Sequence, residues 1–283
     1  MTLCIAAICD DGAKVIGISD RMITIGDEFA FSQPLTKSAP VTESIMVMYS
    51  DDSAIHAELW YALREEVYKD GEEAANKWTV KDAAEAYFRH YLAARNKRIE
   101  SEILGPFSLG MKDFTSKKKN KNIDDTLAKS LTKKIRDYYL AIQVIICGVD
   151  STTGTRHGHI YAVRDMFISC EDTAGFAAIG IGAGLATSQL VSTQHSKGAS
   201  LADTLFLIYR AKKRGELAPG VGIESDIFVI DQEGHLAVYH DKNPTVRQLD
   251  KIYQEYLERE EAAIEIANTY TAMEVVANLD KAV

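Results

Sequence analysis

Apolar residues follow one another along this chain in two rhythms. Residues 3–9 (Leu3-Cys4-Ile5-Ala6-Ala7-Ile8-Cys9) form an unbroken apolar run that stops at Asp10-Asp11-Gly12. A run of that length ending in Asp-Gly reads as a strand entering a hairpin. Residues 13–19 return as a second strand carrying Val15, Ile16 and Ile18, and 45–49 give a third after the turn at Ser38-Ala39-Pro40. The period then lengthens. Ile55, Leu59, Leu63 and Val67 recur at helical spacing over 53–69. Asp51-Asp52 stands where that helix needs its cap. Thr79-Val80-Lys81-Asp82 opens a longer helix as a capping box, with Val80, Ala83, Tyr87, Tyr91 and Leu92 along one side.

After Leu104 the chain is polar and irregular up to Asp124, where another helix runs to Tyr139. The strand rhythm comes back in 141–149, closed by Asp150-Ser151-Thr152-Thr153-Gly154, and again in 159–164 and 174–179. Ser200-Leu201-Ala202-Asp203 caps a helix that ends near Arg214-Gly215. Residues 227–230 and 236–239 form a hairpin across Asp231-Gln232-Glu233-Gly234. From Thr245 onward the chain is charged and helical, with Leu249, Tyr253, Tyr256 and Ala263 on one face. Strand pairs at both ends enclosing helical blocks predict an α+β fold, antiparallel sheet with helices layered on it. The expected organisation is one domain over 1–244, with 95–139 as a helical insertion, and a C-terminal helical extension over 245–283.

Composition narrows the class. The 283 residues, 46% hydrophobic and 26% charged, suffice for a sizeable core. A net charge of −9 argues against nucleic acid as a partner, and the basic run Lys117-Lys118-Lys119-Asn120-Lys121 reads as a solvated loop. No apolar run reaches bilayer-spanning length, and the first residues lack a basic stretch followed by a small-residue cleavage site. A cytoplasmic protein with no membrane partner is therefore expected. Cys4, Cys9, Cys147 and Cys170 each lie in or beside an apolar segment without Cys-x-x-Cys or Cys/His ligand spacing, so reduced, core-type thiols are expected. His157 and His159 would share a strand face, but no third ligand is evident, which favours a surface or interface role over a metal.

Thr2 offers the sharpest chemistry. Removal of Met1 would expose its α-amino group, whose ordinary pKa is about 8. That amine can take the proton from the residue's own hydroxyl, so one residue serves as nucleophile and base. The arrangement needs a cation to tune the amine, a carboxylate to hold the cation, and backbone N–H groups for the developing oxyanion. A strand and turn begin at Thr2 itself, Ser19-Asp20-Arg21 ends the returning strand, and Thr36-Lys37 follows what reads as a short loop. This order resembles the opening of proteasome β subunits and their bacterial two-component relatives. The Thr-x-Cys-Ile-Ala-Ala start and the Ala-Pro-Gly-Val-Gly segment at 218–222 are more similar still to bacterial and archaeal proteasome-like chains. The resemblance implies Thr2 as nucleophile, Asp20 as the carboxylate and Lys37 as the cation. It also implies a four-layer αββα sandwich of two antiparallel sheets flanked by helices, the N-terminal-nucleophile (Ntn) hydrolase fold.

The resemblance spans 1–95 and, more diffusely, 140–240. Ala178-Ile179-Gly180-Ile181-Gly182-Ala183-Gly184 resembles the family's Gly-Ser-Gly stretch with its serine missing. Glu216-Leu217-Ala218-Pro219-Gly220 falls at the family's Asp-x-x-Ser-Gly element, so Glu216 stands in as a supporting carboxylate while Pro219 offers neither hydroxyl nor N–H. Ser50 or Asp51, with Ser50 the candidate, sits where the family has a glycine whose N–H lines the oxyanion hole. Each residue also has a plain reading: Asp20 as a strand-end acceptor, Lys37 as a loop charge, the three glycines as close packing. The expected function is that of a threonine-type amide hydrolase acting on peptides or other amides, without metal or organic cofactor, in a homo-oligomer that the family builds as a ring. The alternative is a non-catalytic assembly or binding protein that keeps the fold.

Overall fold

A computed structural model describes residues 2–25, 29–32, 36–115, 124–150 and 157–279. Strands β1 (Cys4–Cys9), β2 (Lys14–Ser19), β3 (Met22–Ile25), β4 (Phe29–Ser32), β5 (Ser38–Pro40) and β6 (Ile45–Asp51) come first. Helices α1 (Ser53–Val67), α2 (Glu72–Ala75), α3 (Val80–Arg98), α4 (Met111–Thr115) and α5 (Asp125–Arg136) follow. Then come β7 (Ile142–Val149), β8 (Gly158–Arg164), β9 (Phe167–Cys170) and β10 (Phe176–Ile179), α6 (Ala183–Ser192) and α7 (Leu201–Gly215), and β11 (Asp226–Ile230) and β12 (Leu236–Tyr239). Helix α8 (Pro244–Leu279) closes the order. The chain is thus a mixed α/β protein with two five-stranded antiparallel sheets, ordered β10-β1-β2-β11-β12 and β5-β6-β7-β8-β9, and the β3–β4 hairpin beside them.

The unbroken apolar run of β1 follows from burial on both faces. Cys4, Ala6 and Ile8 share a core cluster with Met46, Met48, Ile145, Cys147 and Ile160 of the second sheet. Alternate residues of β1 turn the other way, where α6 and α7 pack on β1, β2 and β10. Each fully buried aliphatic side chain contributes about 1.5–3 kcal/mol. The second sheet repeats the pattern. Ile45, Val47, Val144, Ile146 and Val163 leave its far face to meet Leu59, Leu63, Val67, Tyr87 and Tyr91 of α1 and α3. Gly17 is required by this packing, because a β-carbon there would lie 2.2 Å from the Phe228 ring.

Local signals decide the helix starts. The Thr79–Asp82 capping box forms in full, and Ser200 accepts the Asp203 N–H. Of the two aspartates before α1, Asp52 is the cap, accepting from the N–H groups of Ala54 and Ile55. The chain divides into two units, 1–238 and 239–283. In the second, α8 runs 36 residues and stacks Tyr253 on Tyr256 with ring centroids 6.4 Å apart. Within the first, Ile99, Leu104 and Leu131 gather Ile103, Leu109, Phe114 and Leu127 into a small cluster of their own.

Several expectations change. A β3–β4 hairpin occupies the connection read as a short loop before Lys37. The Asp10–Gly12 turn is a single helical turn with φ values of 51°, 56° and 90° at Asp10, Asp11 and Gly12. Cys170 is exposed rather than core-type, because β9 is an edge strand with little above it. His157 precedes β8 and is exposed, so it does not share a strand face with His159. The basic run 117–121 lies outside the described residues. Among the described residues no helix is long and apolar enough to cross a membrane.

His56 on α1 is buried, its ring stacked on Tyr49 at 3.9 Å, and burial pushes its imidazole down to about 3. The unfolded chain binds this proton below the ordinary value of about 6.5, whereas the folded chain does not until much lower pH. Stability is therefore complete above that value and falls by about 1.4 kcal/mol per pH unit through the window below it. Denaturant midpoints of a His56→Phe variant, measured from neutral to mildly acidic pH, should lose this part of the acid slope.

Candidate active site

Thr2 and Asp20 are brought together by the first hairpin. Cys4 pairs with Ser19 across β1 and β2, so Leu3 and Asp20 flank this rung and Thr2 follows at the open end of the two strands. The Leu3 N–H donates to Asp20 Oδ1 at 2.8 Å, and the Asp20 N–H donates to the Leu3 carbonyl at 3.1 Å. Lys37 arrives from the other sheet, just before β5, with its carbonyl accepting from the Tyr49 N–H of β6. Its Nζ lies 2.7 Å from Thr2 Oγ1 and 2.9 and 3.1 Å from the two Asp20 oxygens. Thr2, Asp20 and Lys37 are 3%, 0% and 3% exposed, so the group is closed off from bulk water.

An ion pair so deeply buried needs its remaining lone pairs satisfied. Asp20 Oδ2 accepts the N–H groups of Met22 at 3.0 Å and Gly222 at 2.9 Å. Next to it Arg21 reaches across to Asp226 through two contacts, Nε to Oδ2 at 2.8 Å and Nη2 to Oδ1 at 2.7 Å. Gly180 follows β10 with φ at 93°, and a β-carbon there would sit 2.1 Å from the Thr2 carbonyl oxygen. Glycine is thus required by the close approach of the Thr2 backbone and by the left-handed conformation together. Gly184, by contrast, faces open space.

The remaining candidate residues lie around this group. Ser50 is fully buried on β6, on the same face as Met46 and Met48, and its hydroxyl donates to Asp51 at 3.1 Å. The left-handed backbone belongs to the next residue, Asp51, with φ at 75°. Cys4 Sγ donates to the Tyr49 carbonyl at 3.3 Å, which ties this segment to the start of β1. Burial pushes the Cys4 thiol far up, with Lys37 opposing, so it stays protonated and is a core residue. Glu216 follows α7 and accepts from Lys212 Nζ at 2.5 Å rather than joining Asp20. Ile181 is half exposed and brings no hydroxyl.

Sequence reasoning did not find Lys212 or the N–H of Gly222. A lysine in the last turn of a helix ordinarily reads as a solvated charge, and nothing in its neighbours announces burial. Away from this group, His159 Nδ1 meets Asp172 at 2.7 Å and Nε2 meets Asp150 at 3.6 Å, and the Asp172 bond raises the imidazole's proton affinity. Among the described residues the one grouping with metal-ligand spacing is Asp231, Glu233 and His235, on the β11–β12 turn. Comparison of the chain with protein-family models finds no match, and comparison with curated proteins finds none at a significant level.

A Lys37→Met chain leaves Asp20 charged, buried and short of its cation, and should lose about 3–5 kcal/mol of unfolding free energy. An Asp20→Leu/Lys37→Met pair removes both charges and should recover most of that loss. Urea unfolding of the two variants, followed by circular dichroism, measures the difference.

Proposed function

We propose that this chain is a threonine-type Ntn amide hydrolase, most similar in kind to a proteasome-like peptidase. The observation that carries the reading is the buried contact of Lys37 Nζ with Thr2 Oγ1 at 2.7 Å, with Asp20 holding the same ammonium. Two antiparallel sheets packed through a shared core, with helices on their outer faces, support the αββα sandwich that such enzymes use. In this reading Met1 is removed and the freed Thr2 amine, directly or through a water, takes the hydroxyl proton as Oγ1 attacks a carbonyl carbon. The amine passes that proton to the leaving nitrogen as the C–N bond breaks. Water then hydrolyses the Thr2 ester and restores the hydroxyl. Lys37 lowers the amine's proton affinity by charge repulsion, Asp20 orients Lys37, and the N–H at Ser50 stabilises the oxyanion. The substrate is a peptide or another amide, including a small-molecule amide. No metal or organic cofactor enters these steps. A homo-oligomer, built as a ring, belongs to the same reading.

A second reading, a non-catalytic assembly or binding protein, draws on the same neighbourhood. Asp51 places a carboxylate beside Ser50, where it opposes a developing oxyanion, and Pro219 lacks the N–H and hydroxyl of the family's element. The two readings separate by intact mass of natively expressed protein, before and after a threonine-reactive epoxyketone or β-lactone. Hydrolase chemistry is expected to show loss of Met1 and one adduct mapping to Thr2, with no adduct on Thr2→Ala. Retained Met1 and no adduct would leave the binding reading standing.

A further inference from the structure

Among the described residues Lys212 is the most deeply buried cation outside the Thr2 group. It lies in the last turn of α7 with its side chain 0% exposed. Burial pushes its proton affinity down, and Glu216 and Asp20 oppose that shift. Holding an ammonium in such a place costs several kcal/mol unless hydrogen bonds and a counter-charge offset it. The offset comes from two directions. Lys212 Nζ donates to Glu216 Oε1 at 2.5 Å and to the Ile223 carbonyl at 2.7 Å. Glu216 begins the irregular segment between α7 and β11, and Ile223 lies near its end, so one ammonium clasps the segment at both sides. Side-chain packing does less of this holding. Ala218 and Val221 are buried, but Leu217 and Ile223 are 68% and 74% exposed.

The clasped segment carries one of the donors on Asp20. Gly222, adjacent to Ile223, gives its N–H to Oδ2 at 2.9 Å. Leu3 and Met22, the other backbone donors to this carboxylate, belong to the first hairpin and its immediate continuation. Through the Gly222 N–H the distant α7–β11 segment thus bears directly on the site. The space around Gly222 is tight, with a β-carbon there meeting Met22 at 3.0 Å and Asp20 Oδ2 at 3.3 Å.

We propose that Lys212 is a positioning residue for the Thr2 site: by holding the Ile223 carbonyl it fixes the Gly222 N–H on Asp20, and through Asp20 sets how Lys37 meets Thr2. The inference rests on the reading of Thr2 as nucleophile, and it adds a residue that touches neither substrate nor Thr2. Loss of the Gly222 donor leaves more of the Asp20 charge uncompensated, which raises the proton affinity of amines beside it. The Thr2 amine then becomes a free base only at higher pH.

The test uses Lys212→Met/Glu216→Leu in the full chain, because removing both charges avoids leaving Glu216 with only the more distant Lys213 at 3.4 Å. Lys212→Met alone serves as the comparison. Two quantities are read: amide hydrogen exchange at Gly222, and the pH profile of Thr2 modification by a β-lactone. The expected result is Gly222 exchange faster by about tenfold or more relative to unchanged β1 and β2 amides. The modification midpoint should move alkaline by about one pH unit. A purely structural role would lower the modified fraction without moving the midpoint, and that outcome overturns the proposal. Unchanged Gly222 exchange overturns it too. If the parent chain forms no Thr2 adduct, the hydrolase reading fails and the positioning role with it; faster Gly222 exchange would then mark a structural clasp alone.

Discussion

A lysine and an aspartate buried against each other at the mouth of the first hairpin constrain much of what surrounds them. Lys37 and Asp20 are almost fully enclosed, and neither charge is tolerable there alone. The surrounding backbone is arranged to make the pair tolerable. Leu3 and Met22 give their N–H groups to the carboxylate from the first hairpin, Gly222 from a segment two hundred residues away in sequence. The cation comes from the opposite sheet. The pair therefore joins both sheets and the α7–β11 segment at one point, where only well-formed geometry offsets the cost of desolvation.

That geometry also explains the division of labour between the faces of β1. One face is uniformly apolar and fills the space between the sheets, and the other supports the two helices that bring the glycines and the clasped segment in. Along β1 every side chain is apolar, and Thr2 and Asp20 lie where the strands of the first hairpin end. Thr2, two residues before the strand, lies in an enclosed environment supplied by that apolar core.

What the chain discloses about itself depends on how local each signal is. The apolar runs of β1, β2 and β7 and the capping boxes at Thr79 and Ser200 act over a few residues, so they can be read directly. Thr2 and Asp20 fall at the same end of a hairpin that is legible, whereas Lys37 as their partner is implied by the resemblance to proteasome β subunits and not by strand geometry. The β3–β4 hairpin is not legible, because its two strands are four residues each and carry polar as well as apolar residues. Cys170 sits in an apolar-looking segment, and only the sheet order shows that its strand is an edge. Lys212 illustrates the opposite failure. Its burial comes from chain that lies far off in sequence, and a charged residue at a helix end gives no hint of it.

Gly180 carries a mechanical meaning for the start of the chain. The Thr2 carbonyl is seated against that glycine, and the next peptide is tied to Asp20 in both directions. The Thr2 side chain is held as well, by Lys37 Nζ on its hydroxyl. Under the proposed reading, a cut before Thr2 leaves each of these contacts within the chain, so the new terminus inherits them.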